Sequence, residues 1–471
     1  MSNTRLAVFL FTVCLCGCAV GPNYKRPAVP VPASFRGADS TQSADSSSLA
    51  DLKWFQVFKD EQLQELIRTA LEKNYDLRTA VARVGAARAN VGITRADQFP
   101  TFTGSADITT LRNSRSGSLA LPASFVPSQN RTFGETLLNL VSFEVDIWGK
   151  LRRATEAARA DLLATEENRK AVVTTLVSDV ATSYFNLLEL DMEMEIAQKT
   201  LATRKDSLEL IRVREKGGIA TLLEVRQGEQ LVYSAEQVIP DIERSITQTE
   251  NQISLLLGAS PAPVKRVRRL TDQEQPPTTP PGLPSSLLER RPDIRSAEQN
   301  LVAANADIGV ARAAYFPQIS LTGFLGAQSN QLSELFGGPT AAWQFIPRVT
   351  QPIFNAGRIR SGVRLAEAQQ QVALVQYEQS IQTAFREASD ALVQHQKVRE
   401  IRAKQEALVT TLQDRSRLAY LRYRGGVDTY LNALDADRDL FQAELTLAQT
   451  RRNELLAVVQ LYKALGGGWQ Q

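Results

Sequence analysis

Two runs of 68 residues, Gly149 to Lys216 and Gly357 to Arg424, contain no proline. An unbroken helix of that length extends about 100 Å at roughly 1.5 Å per residue, farther than one globular domain can hide. Such helices must pack side by side along their length. The first run carries an apolar seam in alternating steps of three and four: Val173, Leu176, Val180, Leu187, Leu190, Met194, Ala197, Leu201, Leu208 and Ile211. Ser183 and Arg204 fill its two gaps. A seven-residue repeat of this kind predicts left-handed coiled-coil packing. The second run repeats the seam with smaller residues: Ile381, Ala384, Ala388, Ala391, Val398, Val409, Leu412 and Ala419. The one histidine, His395, lies on that seam and has no ligand partner near it in sequence. Packing is its expected role.

The two runs belong to an internal duplication. Tyr75-Asp76-Leu77-Arg78 matches Pro292-Asp293-Ile294-Arg295, and Gln98-Phe99-Pro100 matches Tyr315-Phe316-Pro317, both at an offset of 217. Gly149-Lys150-Leu151-Arg152 matches Gly357-Arg358-Ile359-Arg360 at 208, and so do the Gly-Gly segments at 217–218 and 425–426 and the Leu-Gly pairs at 257–258 and 465–466. The first half is therefore longer by nine residues between Pro100 and Gly149. The reading gives two structural repeats, 59–258 and 293–466, and a short tail at 467–471. They are joined by a linker at 259–292 that holds eight prolines, too many for a helix or a central strand.

Each half reads as helix, two strands, long helix, Gly-Gly break, helix. Strands are expected at about 100–112, 132–147, 317–328 and 342–354 because apolar and polar residues alternate there. Phe102, Ala106 and Ile108 alternate with Thr101, Thr103, Ser105 and Asp107; Val141, Phe143, Val145 and Ile147 alternate with Ser142, Glu144 and Asp146. Ile319, Leu321, Leu325 and Ala327 oppose Gln318, Ser320 and Thr322, while Trp343, Phe345 and Val349 oppose Gln344, Arg348 and Thr350. One greasy and one wet face fit a barrel wall between lipid and water, and equally a one-sided soluble sheet. Phe99, Phe102, Phe316, Phe324 and Trp343 gather near strand ends or tips, which fits an interfacial aromatic girdle and equally ordinary core packing. No stretch after the N-terminal segment reads as a membrane-crossing helix, so a crossing would fall to strands.

Composition excludes several functions. Net charge is +3, from 54 basic and 51 acidic residues, without the basic excess of a general nucleic-acid binder. With one histidine and all three cysteines before residue 19, almost no material remains for a metal cluster or a Cys/His or Ser/His catalytic set. No enzyme activity, cofactor or metal is expected. Residues 1–17 read as an export signal, with Arg5 before a short apolar stretch from Leu6 to Val13. Leu15-Cys16-Gly17-Cys18 resembles the lipobox of bacterial lipoproteins. That resemblance implies a lipid on Cys18, and Ala19 in place of Asp implies sorting to the outer membrane. Residues 18–58 then form an acylated, extended N-terminal segment with four prolines between Pro22 and Pro32.

The glycine pairs Gly217-Gly218 and Gly425-Gly426 should end the long helices in tight turns, since glycine accepts positive φ at a helix C-terminus. Arg214, Lys216, Arg422 and Arg424 before them suit the negative end of each helix dipole. On the following helix Asp428 and Asp435, seven apart, should share a face, with Arg438 three beyond Asp435 able to reach a neighbour.

Cys18 with Gly21-Pro22-Asn23-Tyr24-Lys25-Arg26-Pro27 resembles the mature start of acylated TolC-like outer-membrane factors. Glu289-Arg290-Arg291-Pro292-Asp293-Ile294, Tyr315-Phe316-Pro317, Tyr423-Arg424-Gly425-Gly426-Val427 and the segment from Tyr430 to Arg438 are similar to signatures of the same family. The resemblance spans the chain from Cys18 to Gly466. It implies a mainly α protein with a transmembrane β-barrel: a homotrimer whose chains give four strands each to a 12-stranded barrel, continued by an α-helical periplasmic tunnel. It also implies an outer-membrane exit duct for drugs or other small toxic compounds, embedded in outer-membrane lipid. The duct would work with a periplasmic adaptor and an inner-membrane pump of the resistance–nodulation–division type, without nucleic acid. A protein-secretion duct of the same fold and a non-pore coiled-coil lipoprotein are the alternatives. The family pattern places an acidic residue facing the pore at Asp435. A second acidic position falls on Asn432, and a link between helices joins Glu224 to Tyr423. Tyr423, Glu224, Asp428, Asn432, Asp435 and Arg438 are thus the expected gate, and Gly217, Gly218, Gly425 and Gly426 the expected tips.

Overall fold

A computed structural model of the chain describes residues 19–32, 34–36, 48–112, 130–274, 284–337 and 339–470. Helix α1 (Glu61–Lys73) starts at Asp60, whose carboxylate accepts from the Gln62 and Leu63 amides at 2.9 and 3.2 Å. The cap satisfies two of the donors a helix start leaves open. Helix α2 (Tyr75–Ala96), strands β1 (Thr101–Arg112) and β2 (Asn130–Glu144), and helices α3 (Lys150–Lys216) and α4 (Leu222–Leu256) complete the first half. The second half repeats them as α5 (Pro292–Ala313), β3 (Gln318–Ser329), β4 (Ala341–Thr350), α6 (Arg358–Arg424) and α7 (Tyr430–Ala464). Both long helices have 67 residues.

By its contacts the chain forms two units, one from residues 1–27, 85–164 and 297–376, the other from 28–84, 165–296 and 377–471. Each unit draws on both halves of the duplication.

The first unit holds an antiparallel sheet in the order β1-β2-β3-β4. Its cross-strand pairs sort the side chains into two faces. Phe102 lies opposite Leu140, Leu138 opposite Leu325, and Leu325 opposite Trp343, while Gly323 faces Phe345 and Ile319 faces Val349. That face is apolar yet exposed: Ile108, Leu138, Leu325, Trp343 and Val349 all lie open. The other face carries Asp107, Glu135, Asn139, Gln328, Gln344 and Arg348. Gln328 donates to Glu135 at 3.0 Å and Asn139 to Ser105 at 3.1 Å. A soluble sheet buries its apolar face; this one leaves it bare.

The register of β2 against β3 slips between Leu140 and Phe143. This β-bulge puts Val141 opposite Thr101, on the polar face, although the alternation grouped it with Phe143. Phe324 sits opposite Asn139 and Gln344 on the polar face, so it is no part of an outer girdle. Strand β2 ends at Glu144, because the chain bends where the Ile147 amide bonds the Val145 carbonyl. Beyond it Trp148 stacks on Phe316 at 4.6 Å and donates its indole N–H to the Pro317 carbonyl at 2.8 Å. Strand β4 ends at Thr350.

The second unit is a helical bundle. Val173, Leu176, Val180, Leu187, Ala197, Leu208 and Ile211 of the α3 seam are buried, as are Ile381, Ala384, Ala388, Ala391 and Val409 of α6. Helix α3 does contain an 18-residue window apolar enough for a membrane span (mean hydropathy 1.3), contrary to the sequence reading, but 61% of that window is buried within the chain. Its apolar residues are therefore used in helix packing. His395 is half-buried on α6; burial first, and Arg399 next, hold its pKa below the ordinary value.

Candidate gate and helix tips

Both long helices end in the same turn. The Gly218 amide bonds the Glu215 carbonyl and the Ile219 amide the Arg214 carbonyl, at 2.9 and 2.8 Å. In α6 the Gly426 amide bonds Tyr423 and the Val427 amide bonds Arg422, at 3.0 and 3.1 Å. These crossed bonds are the Schellman motif, which satisfies the last carbonyls of a helix. Only the second glycine of each pair has positive φ, +66° at Gly218 and +74° at Gly426. Gly217 and Gly425 are in ordinary conformations, so the pair is not needed as a pair.

After the first turn Thr221 caps α4. Its hydroxyl accepts from the Glu224 amide, while the Glu224 carboxylate accepts from the Thr221 amide at 2.7 Å. That capping box occupies Glu224. Burial first, and next the Glu224 charge, push the Tyr423 phenol up, with a Glu224 hydrogen bond among the lesser causes. Glu224 thus stands beside the Tyr423 hydroxyl. Tyr423 also packs its ring on Tyr430 at 5.0 Å and under the Arg214 guanidinium at 4.8 Å. Leu208 and Ile211 of α3, Val225 and Val232 of α4, and Ala433 and Leu434 of α7 complete this apolar cluster.

After the second turn Thr429 is the N-cap of α7, in extended conformation. Asp428 therefore precedes the helix and does not share a helical face with Asp435. It serves the turn instead, accepting from Arg422 Nε at 3.0 Å, Asn432 Nδ2 at 2.6 Å and the Thr429 amide at 2.8 Å. The Arg422 bond, then that of Asn432, holds its carboxyl below the usual range. Asp435 and Arg438 do meet, at 3.3 Å on one face of α7, and Arg438 also bonds Asp439 at 3.3 Å. Arg415 of α6 reaches Asp439 at 2.7 Å. The structure so brings Asp435 and Arg438 together, and separately Asp428 and Asn432, on one loop and one helix start. Cys18 lies outside the described residues.

Sequence reasoning missed the buried ion pair behind this surface. Arg204 Nε donates to Asp437 Oδ2 at 2.8 Å, and Arg204 Nη1 donates to the Leu231 carbonyl and to Ser234 Oγ at 3.0 and 3.2 Å. The two side chains are 3% and 9% exposed, so the pair ties α3 to α7 inside the bundle. Arg204 filling a gap in an otherwise apolar seam was the available signal.

A sheet that exposes its apolar face and leaves both edges open, joined in one chain to helices of this length, defines an outer-membrane channel of the barrel-and-helical-tunnel class. The chain belongs to the outer membrane efflux protein family, whose pattern matches residues 66–259 and 283–467. It is 38% identical over 471 residues to the cation efflux system protein CusC of Escherichia coli O6:H1, covering all of both chains. It is 37% identical over 479 residues to TtgC, a probable efflux pump outer membrane protein of Pseudomonas putida, covering all of this chain and 97% of that one. The Neisseria gonorrhoeae MtrE outer membrane channel, solved in its open state, superposes with a TM-score of 0.85 at 32% identity, over 96% of this chain and 99% of that one. The protein is accordingly an outer-membrane efflux channel of the TolC-like type, and its relatives are channels, not enzymes.

Proposed function

We propose that three copies close one barrel, four strands from each giving twelve, and that the pore continues through the helices as a passive exit duct. The observation that carries this reading is the two-faced sheet with β1 and β4 unpaired at its edges. Four strands leave two rows of backbone donors and acceptors open, which neither lipid nor water-excluding packing tolerates, whereas a closed ring leaves none. An inner-membrane pump supplies the energy, and the pump or a periplasmic adaptor docks at the Gly218 and Gly426 turns. The cargo is drugs or other small toxic compounds. Met192 and Met194 are the only methionines after Met1, so soft metal ions would find few thioether ligands here, and a passive duct needs none. Cys18 carries the lipid anchor.

Native mass spectrometry in detergent should give three chains per particle, each with a triacylated Cys18 at its N-terminus, and the same preparation should conduct in planar bilayers. A stable monomer with intact strands, or a trimer that never conducts, would overturn the duct. An unmodified N-terminus elsewhere would overturn the anchor alone.

A further inference from the structure

The two hairpins of the sheet are copies of each other, and their registers show where the copies differ in length. Thr103 faces Asn139 in the first hairpin; Ser320, its counterpart 217 residues on, faces Arg348 in the second. Asn139 and Arg348 are thus equivalent at an offset of 209, whereas Gly149 and Gly357, beyond the strands, are equivalent at 208. One residue of the first half has no counterpart between strand and helix, and the β-bulge between Leu140 and Phe143 is where it sits.

Strands β2 and β3 pair inside the chain. By the duplication their counterparts are β4 and β1, the two strands left open. Carrying the observed β2–β3 pairs across gives a register for the open edges. Asn139 with Phe324 becomes Arg348 with Asp107, and Thr136 with Ala327 becomes Phe345 with Thr110. Beyond the bulge, Phe143 with Leu321 becomes Gln351 with Gly104. All three pairs fall in one unbroken register, because β4 lacks the extra residue.

We propose that β4 of one copy pairs antiparallel with β1 of the partner subunit in this register, so that Arg348 meets Asp107 of the partner subunit across the seam. The proposal rests on the trimer proposed above and deepens it. Three features support it. The register keeps Phe345 and Val349 on the face of Ala106 and Ile108, whereas a slip of one residue would turn every side chain to the wrong side. It is also the one face-preserving register that pairs charges. Slips of two set Arg348 against Ser105 or Thr109, and opposite charges directly across a ladder are favoured. Neither Arg348 nor Asp107 has a side-chain partner among the described residues. Lastly, Ile353 and Phe354, at 91% and 89% exposure, are the two barest large apolar side chains among the described residues. The Val145 amide bonds the Ile319 carbonyl at 2.9 Å within the chain. The equivalent bond sets the Ile353 amide on the carbonyl of the partner subunit's Phe102, and brings Ile353 and Phe354 beside an exposed aromatic surface.

Disulfide trapping tests the register. Beyond Cys18 the chain has no cysteine, so introduced pairs report alone. Ser105→Cys with Thr350→Cys places two thiols directly opposite on the polar, water-accessible face. Thr103→Cys and Asp107→Cys, each with Thr350→Cys, are displaced by two in either direction. Within one chain β1 and β4 are three strand spacings apart, about 14 Å, too far for a disulfide. After oxidation in outer-membrane fragments, the register pair should give about tenfold more covalently linked dimer and trimer than either displaced pair, given the steep distance dependence of the bond. Equal yields, or a maximum at a displaced pair, overturn the register even where native mass spectrometry finds a trimer. A monomer in that measurement overturns the trimer itself. As a second arm, Arg348→Asp and Asp107→Arg should each lower the temperature at which the detergent-resistant trimer dissociates, and the double swap should recover most of the loss. No recovery in the double swap counts against the ion pair.

Discussion

Arg204 shows how a single residue inside an apolar seam can be read wrongly. In the sequence it is an interruption among Leu201, Leu208 and Ile211; in the fold it is the donor to Asp437 and to two groups of α4. A buried pair of this kind is weak evidence for stability as a whole, since removing both charges from water is costly. Breaking it from one side is different, because the guanidinium then stays buried without its counter-charge. Asp437→Ala should therefore cost about 3–5 kcal/mol, while Arg204→Leu with Asp437→Leu should lie close to the parent. Thermal melting of the detergent-solubilised protein distinguishes these outcomes. A single substitution within the noise of the parent would show that the pair is not holding α3 to α7. Asp437 itself was hidden in a run of charges, Asp435, Asp437, Arg438 and Asp439, where one-dimensional spacing cannot say which member turns inward.

At the scale of elements, the chain writes its helices plainly and its strands less so. The proline-free runs and the glycines at 217–218 and 425–426 locate α3 and α6, because a helix end demands a residue that tolerates positive φ. The β2 bulge was not legible. Val141-Ser142-Phe143 continues the alternation unbroken, and only pairing with β3 shows that one residue is spare. Asp428 was misplaced for a related reason: periodicity runs straight through an N-cap, whereas Thr429 in extended conformation stops it. The turns themselves give a prediction in which neighbours differ. Gly426→Val forces a branched side chain into φ +74° and should cost about 1–2 kcal/mol, the penalty of the left-handed region for an L-residue. Gly425→Ala meets nothing closer than the Leu421 carbonyl at 3.4 Å and should be neutral within about 0.5 kcal/mol, as a substitution with no strain or cavity is. Melting temperatures that fall equally for both would contradict the Schellman assignment.

For the whole molecule the duplication gave the strand count, and the bare apolar face gave the membrane, but a gate of the kind we propose needs more than one chain. What one protomer shows is a weakly held surface. Asp435 and Arg438 are paired at 3.3 Å with side chains 40% and 65% exposed, and Arg438 shares itself with Asp439. Exposed pairs contribute about 0.2–1 kcal/mol each. Repeated in three copies around an axis, as we propose, such contacts would hold a constriction by only a few kcal/mol, enough to stay closed at rest and little enough for a docked partner to open. We propose that Asp435 sets the sign of this narrow point, since Asn432, bound to Asp428, adds no charge of its own. Three carboxylates facing one axis should make the pore prefer cations. Removing both members, Asp435→Ala with Arg438→Ala, should then raise single-channel conductance and weaken that preference, while leaving trimer yield unchanged because neither side chain is in the buried core. The recording belongs at low salt, where the screening length is about 30 Å near 0.01 M and charge effects are largest. If the double variant conducts like the parent there, with the same ion preference, these residues are a solvated surface and the constriction lies elsewhere.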